Sequence, residues 1–453
     1  MATETITSPT KPIRYVPGLP LLGNYPEHQK DRLSLYSRAV KQYGNVVQIN
    51  FGPFPIILFN DPEYVRLIFD EHAYDFAKGE YMHNAFRPSI GNGLFISEGA
   101  LHRQQRKLMA PSFQPRHIKN YADTMVTYSE RIQQEWHEAE TIDVAREMTH
   151  LTMSIIGKVL FDADVFTESD ELGAAMTTVL AHISQFLSSL VAVPLNWPTK
   201  HNREVLGAIA VLRNRMRHMI EERRASSEER DDFLSILLRA RDEEGNSMSE
   251  EQAIDECLTL FGAGHETTAT ALAWTWYVLS QHSDIYERVL HEVDTVLQGR
   301  LPTYADLVNL PYCLQVFKET LRLYPPAYAL TRVALHDIEL NEYQVHKGES
   351  VMIPIYVLHR RSDFYPDPET FDPERFTPER EKQLPRYAYV PFGAGPRICI
   401  GNHFAMMEGH LLLATLAQRV TFELIPGQKI VPDPQKTITI RPINGVQVKV
   451  HRR

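Results

Sequence analysis

The strongest chemical signal in the sequence is a lone cysteine in a glycine-rich loop near the C-terminal end. Cys399 follows Gly393 and Gly395 and precedes Gly401, and Arg397 stands two positions before it. Apolar residues at helical spacing begin directly after this loop. A thiolate just ahead of a helix meets unpaired N–H groups and the positive end of the helix dipole, so we expect a lowered pKa for Cys399.

A second signal lies in the middle of a long helical pattern, residues 250–281, which opens with the capping residue Ser249. Its segment 262–268 reads Gly-Ala-Gly-His-Glu-Thr-Thr, and glycine and threonine are poor interior helix residues. Threonine hydroxyls can capture main-chain carbonyls and bend a helix. We therefore expect a notch that seats a diatomic ligand, with Glu266 and Thr267 as a proton route.

Glu319 and Arg322 form a third pattern, since the i, i+3 spacing places them on one helix face. Such pairs are common on protein surfaces and mean little alone. The pair gains weight from the segment 371–376 farther along the chain.

These patterns together resemble the cytochrome P450 (haem-thiolate) family, and in particular its soluble bacterial members. The cysteine loop is similar to the family pattern Phe-x-x-Gly-x-Arg-x-Cys-x-Gly at every specified position. The matching positions are Phe392, Gly395, Arg397, Cys399 and Gly401. Residues 263–268 resemble the family's oxygen-binding motif, and residues 319–322 resemble its Glu-x-x-Arg motif, with Arg375 completing a triad that holds the cysteine loop.

The resemblance implies roles for individual residues. Cys399 is expected to be the axial ligand of haem b, and thiolate ligation favours O–O cleavage. Glu266 and Thr267 are expected to deliver protons during turnover, whereas His265 is expected to be structural or pocket-lining and not a metal ligand. The haem-binding residues that the resemblance implies are Cys399, Arg397, Arg332, His102, Arg106 and Phe392. The sequence departs from the family at His102, where the commoner pattern has tryptophan, although an imidazole can still donate to a propionate.

The implied activity is that of a monooxygenase that inserts one atom of O₂ into an apolar substrate. A fatty acid, terpenoid, carotenoid or steroid-like molecule would all suit, and the sequence does not choose among them. Electrons would come from a separate ferredoxin or flavodoxin with its reductase. A locally basic stretch, 103–119, favours docking of such an acidic partner, because opposite charges steer transient encounters.

Two other functions remain open at this point. One is a peroxide-driven haem-thiolate peroxygenase, although relatives of that kind carry an arginine in place of the acid–alcohol pair. The other is a haem-binding sensor or carrier without turnover, and an intact proton route speaks against it.

Composition fixes the remaining expectations. The chain has 453 residues, 43% hydrophobic and 23% charged, with a net charge of −10 that argues against nucleic-acid binding. Residues 1–26 are rich in proline and are predicted to form an extended segment, and 27–453 a single haem-binding domain. The fold predicted is mainly α with a minor β-sheet region, as the family resemblance also implies.

Two further features concern location. No stretch reaches the ~18 apolar residues of a membrane span, and nothing at the N-terminus reads as a signal peptide. Cys257, Cys313 and Cys399 make neither a disulfide framework nor a zinc motif. The sequence therefore predicts a cytoplasmic protein without a membrane span.

Overall fold

The structure, a computed structural model, describes residues 11–190, 193–226, 230, 232–241, 245, 247–435 and 438–453. Within those ranges the chain is mainly helical with small sheets, which confirms the predicted fold class. The α-helices are α1 (Tyr25–Tyr43), α2 (Pro62–Arg66), α3 (Gly79–Ile90), α4 (Gly99–Met109), α5 (Pro115–Ile118), α6 (Ala122–Glu135), α7 (Val144–Phe161), α8 (Ser169–Ser188), α9 (Lys200–Ala225), α10 (Phe233–Arg239), α11 (Glu250–Gln281), α12 (Ser283–Leu297), α13 (Pro311–Leu323), α14 (Ile355–Leu358), α15 (Pro378–Glu381) and α16 (Asn402–Arg419).

The β-strands are short, which is typical of a minor sheet component. They are β1 (Arg14–Tyr15), β2 (Val46–Phe51), β3 (Phe54–Phe59), β4 (Phe76–Ala77), β5 (Thr141–Asp143), β6 (Leu330–Ala334), β7 (Ile338–Leu340), β8 (Tyr343–Val345), β9 (Ser350–Ile353), β10 (Val420–Leu424), β11 (Pro432–Asp433), β12 (Arg441–Pro442) and β13 (Gln447–Arg452). The predicted extended segment 1–26 lies partly outside the described residues, and its described part contains β1 and the first residues of α1.

The chain divides into two compact units, and the first is built on a sheet. It comprises Met1–Tyr81, Tyr328–Pro368 and Leu384–Ile398. Its six-stranded sheet has the order β1-β2-β3-β9-β6-β4, with parallel pairing between β1 and β2 and between β3 and β9. Alternate residues of β2, Val47 and Ile49, are buried with residues of α1, as the two-residue period of a strand requires.

The second unit is helical and is organised around α11. It comprises Met82–Ala327, Glu369–Gln383 and Cys399–Arg453. The helix begins at Ser249, whose hydroxyl accepts the N–H of Gln252 at 3.2 Å, and it runs unbroken for 32 residues against α7, α9, α13 and α16. Trp274 is fully buried on this helix and stacks on Tyr324 with ring centroids 4.1 Å apart. A helix of this length spans a whole domain, so it can hold residues of several distant segments in fixed positions.

The sequence did not predict α3. This helix carries a glycine at its start and Pro88 near its end, and such residues mask a helical pattern. Near the C-terminal end, β12 and β13 are separated by a turn in which Asn444 and Gly445 have positive φ. Backbone in the left-handed region reverses the chain, which ends a strand.

A buried ion triad joins α13 to the short segment Pro373–Phe376, as predicted. Arg322 donates through Nε and Nη2 to the two carboxylate oxygens of Glu319, both at 2.7 Å. Arg375 lies 3.4 Å from the same carboxylate, and the Asp372 N–H donates to it at 2.9 Å. Both side chains of the Glu319–Arg322 pair have no exposed surface. The carboxylate is therefore compensated entirely by protein groups.

We expect Glu319→Gln to destabilise the protein by about 3–5 kcal/mol, because it leaves two buried guanidinium groups without their counter-ion. Urea unfolding followed by circular dichroism measures this loss. The control is Glu374→Gln, which removes a surface ion pair with Arg288 and is expected to cost less than about 1 kcal/mol. Equal unfolding midpoints for the two variants would contradict the assignment of the triad.

Candidate functional site

The first part of the cysteine loop belongs to the sheet unit and has a backbone conformation that favours glycine. Gly395 has φ +66, and a Cβ there would lie 1.6 Å from the carbonyl oxygen of Phe69. Gly393 has φ +73 and lies beside Leu330. Phe392 and Arg397 are half-buried in this segment. Gly393 and Gly395 are thus explained by backbone geometry, and Gly395 also by close approach.

Cys399 opens the helical unit's share of the loop, three residues before α16. Its thiol is exposed. The dense protein around the thiol nevertheless raises its pKa, although the Gly401 N–H and the charge of Arg106 both act to lower that pKa. The expectation of a lowered pKa is therefore wrong for this structure, because desolvation outweighs the helix start and the cation. Cys399 thus has an accessible thiol with an N–H donor and a cation nearby. These surroundings suit the thiolate form that a bound metal stabilises.

The notch predicted on α11 is an exposed patch on an unbroken helix. Ala263 is exposed and Thr267 is half-buried, although most residues of the helix around them are buried. The Thr267 hydroxyl donates to the Ala263 carbonyl at 2.9 Å, as expected for an interior threonine. Gly264 allows α11 to pack closely on α7, because a Cβ at this position would lie 2.7 Å from Ile156.

Glu266 lies next to Thr267 in sequence but faces the C-terminal segment. Its carboxylate accepts the Thr439 hydroxyl at 2.8 Å and forms an ion pair with Arg441. The same segment is bonded to α11 a second time, because Trp274 donates to the Ile440 carbonyl at 2.6 Å. Neither partner of Glu266 could be predicted from the sequence, because both lie more than 170 residues away and follow no motif.

Thr268 lies close to another acid that the sequence analysis missed, Glu408 of α16. Glu408 has no exposed surface, and neither of its oxygens has a hydrogen-bond partner of good geometry among the described residues. Burial raises the pKa of Glu408 to about 8, against a smaller lowering by the Thr268 hydroxyl. A glutamate inside the mostly apolar stretch 404–417 was the signal that could have found it.

The four candidate propionate contacts fall in both units. His102 is buried and Arg106 half-buried on α4, where Arg106 lies close enough to affect the Cys399 thiol. Arg332 is buried in β6, and its guanidinium lies 4.5 Å from the centroid of the Phe69 ring. Arg397 lies two residues after Gly395, whose backbone also approaches Phe69. Phe69 is therefore a common neighbour of Arg332 and of the cysteine loop.

His265 is buried, and burial lowers the pKa of its imidazole. Its Nδ1 lies 2.7 Å from the Phe261 carbonyl on its own helix, a position that fits the structural role expected of it. Among the described residues, no cluster of three or more His, Cys, Asp or Glu side chains could hold a metal ion.

Comparison with known proteins decides the family. Residues 14–450 match the family described as Cytochrome P450. The chain belongs to the cytochrome P450 family. It is 37% identical to cyclooctatin synthase of Streptomyces melanosporofaciens over 95% of this chain and 94% of that one.

Two further relatives show the same family. Cyclooctat-9-en-7-ol 5-monooxygenase, from the same organism, is 33% identical over 90% of this chain and 89% of its own. The solved structure of retinoic acid-bound cyanobacterial CYP120A1 superposes with a TM-score of 0.88 at 28% identity, covering 98% of this chain and 100% of that one. This cytochrome P450 is therefore a monooxygenase, an oxidoreductase that binds haem and acts on an apolar substrate. None of the helices in the described residues has the length and apolar character needed to cross a membrane.

Glu408 predicts a pH dependence of stability. Because the raised pKa lets the folded protein keep a proton that the unfolded chain loses near pH 4.5, stability should fall as pH rises from about 4.5 to about 8. The slope contributed by one such group is at most ~1.4 kcal/mol per pH unit. Glu408→Gln should remove this contribution, so its advantage over the native protein grows toward pH 8. Unfolding midpoints across pH measure the difference, with the exposed Glu287→Gln as control; a constant difference would contradict the assignment.

Proposed function

We propose that Cys399 is the axial ligand of haem b in this cytochrome P450. The observation that carries the proposal is the accessible thiol of Cys399, which has the Gly401 N–H and the charge of Arg106 acting on it. The b form is supported by the positions of the three cysteines, 257, 313 and 399, which exclude the Cys-x-x-Cys-His pattern of covalent attachment. When bound, the haem supplies the activation of O₂.

Four basic side chains would hold the propionates, and one aromatic would border the ring. We propose Arg106 and His102 on α4 and Arg332 and Arg397 in the sheet unit for the first role, and Phe392 for the second. The charge of Arg106 acts on the Cys399 thiol, which supports a haem contact for the α4 pair. We also propose that 27–453 act as one haem-binding domain, since each compact unit is assembled from segments that are far apart in the sequence.

Protons would be moved by Glu266 and Thr267. The Thr267 hydroxyl lies on the exposed patch of α11 and can accept one hydrogen bond at Oγ1 while it donates another. Glu266 is buried and held by Arg441 and Thr439, so its carboxylate is fixed on the adjacent face of the helix. Positioned acid groups of this kind contribute by donating protons as negative charge develops.

A ferredoxin or flavodoxin, with its reductase, is the electron donor we propose. Exposed basic residues between α4 and the segment before α6 support it, because an acidic protein would be attracted to them. These residues are Arg103, Lys107, Arg116 and Lys119. A cytoplasmic location is proposed on the evidence of the three free cysteines, since reducing compartments keep thiols unpaired.

The substrate we propose is a terpenoid or a similar hydrocarbon-rich molecule. One relative is named for the oxidation of cyclooctat-9-en-7-ol, an alkenol, and the matching solved structure is named for bound retinoic acid. Both compounds are largely apolar and carry one polar group. Water exclusion around an unactivated C–H bond favours such molecules.

The ligation is tested by the absorption of the reduced protein treated with carbon monoxide. We expect a band at the position typical of thiolate ligation, and Cys399→Ala should abolish it because no other described cysteine is exposed. Cys313→Ala is the control, since that thiol is fully buried and should leave the band unchanged. A thiolate band that survives in Cys399→Ala would refute the proposal.

Proton delivery is tested by the coupling of electron use to product. With surrogate ferredoxin and reductase, Thr267→Ala should consume NAD(P)H while product per NAD(P)H falls ~10-fold or more, because the hydroxyl donor is lost. Thr267→Ser keeps the hydroxyl and should restore coupling. Unchanged coupling in Thr267→Ala would favour a peroxide-driven peroxygenase, and absence of any product from the native protein would favour a sensor or carrier.

A further inference from the structure

Two adjacent carboxylates of α11 hold the backbone of the segment that connects α3 to α4. This segment, residues 91–97, has no regular secondary structure. Asp255 accepts the N–H of Asn92, and Glu256 accepts the N–H of Leu94, both at 2.8 Å. Neither carboxylate belongs to the proton route or to the proposed haem contacts. We call residues 91–97 the strap.

Two glycines let the strap press directly on the helix. A Cβ at Gly91 would lie 2.0 Å from the Asp255 carboxyl group, and one at Gly93 would lie 2.1 Å from the Thr259 hydroxyl. Gly91 also has φ +66, which other residues rarely adopt. Because the strap backbone lies so close to α11, the Asp255 and Glu256 carboxylates contact that backbone directly.

Two further helices are tied to the same point. Arg213 of α9 donates to Asp255 at 3.0 Å. Gln105 of α4 donates to the Asn92 carbonyl at 3.0 Å, and Gln252 of α11 donates to that carbonyl at 3.3 Å and to Glu256 at 3.0 Å. The strap is therefore fastened between α4, which carries His102 and Arg106, and α11, which carries Glu266 and Thr267.

The strap covers apolar interior. Leu94 and Ile96 are buried, and Phe95 packs on Phe86 of α3 with ring centroids 4.9 Å apart. Release of the strap would uncover this apolar surface beside the N-terminal half of α11. An apolar substrate would find a matching surface there.

We propose that Asp255 and Glu256 are positioning residues that latch the strap onto α11, and that release of this latch admits the apolar substrate. The access part of the proposal rests on the proposed function. Asp255 is neutralised by Arg213, but Glu256 has no cation partner among the described residues. The groups that face it are the strap N–H of Leu94, the Gln252 amide, Asp255 and the Cys257 thiol.

The latch should respond to pH through Glu256. Its carboxyl group is fully buried, and burial raises its pKa to about 7. When the strap is released, water reaches the group and its pKa returns toward the ordinary value of about 4.3. The closed form thus binds the proton more tightly, so protonation favours closure, and the strap opens more readily as pH rises toward 8.

Hydrogen exchange of the strap amides tests the latch on the full chain. After correction for the intrinsic rate, exchange in residues 91–97 should rise about tenfold from pH 6 to pH 8, as linkage between pKa values of about 7 and about 4.5 requires. Glu256→Gln, a neutral isostere, should keep the strap protected at both pH values. Glu256→Ala, which loses the acceptor, should exchange quickly at both.

Glu251→Gln is the matched control, because Glu251 also pairs with Arg213 but is 67% exposed and does not touch the strap. It should keep the native pH dependence. A native strap whose exchange does not change with pH, or a Glu251→Gln variant that behaves like Glu256→Gln, would overturn the latch.

Substrate access is measured separately by stopped-flow binding of a neutral phenyl-substituted triazole to the haem-loaded protein. Its association rate should rise with pH in the native protein and stay constant in Glu256→Gln. Equal pH dependence in both would overturn control of access by the latch. The exchange measurement involves no haem chemistry, so it succeeds or fails independently of the Cys399 test.

Discussion

The geometry of one α-helix is the constraint on which the candidate site depends. Successive side chains on a helix point about 100° apart, so neighbours in the middle of α11 must face different parts of the protein. Gly264 approaches α7, Glu266 binds the C-terminal segment, Thr267 lies on the exposed patch and Thr268 faces α16. Four neighbourhoods are thus held in register by a single hydrogen-bonded backbone.

Four glutamates are buried among the described residues of the helical unit, and each is compensated differently. Glu319 has two arginines, and Glu266 has one arginine and a hydroxyl. Glu256 has a backbone N–H and an amide, and Glu408 has only the influence of one hydroxyl. Burial raises the pKa of Glu256 to about 7 and that of Glu408 to about 8, because it penalises the charged form. These two glutamates, which have no arginine partner among the described residues, thus suit proton uptake near neutral pH.

Much of the fold could be predicted because its signals are local. The bounds predicted for the helix at 250–281 agree with α11, since apolar periodicity and a serine cap mark them. α3 was missed where glycine and proline hide the period. The turn between β12 and β13 depends on left-handed residues that composition does not reveal.

The sequence by itself determined the family, the cysteine loop and the residues of the oxygen motif, because glycine positions and motif spacing are properties of short stretches. Only the tertiary structure decided what those residues touch: Arg441 and Thr439 on Glu266, Glu408 near Thr268, and a raised pKa for the Cys399 thiol where the helix start alone predicted a lowered one. These outcomes depend on burial and on partners more than a hundred residues away, and neither is written in local spacing.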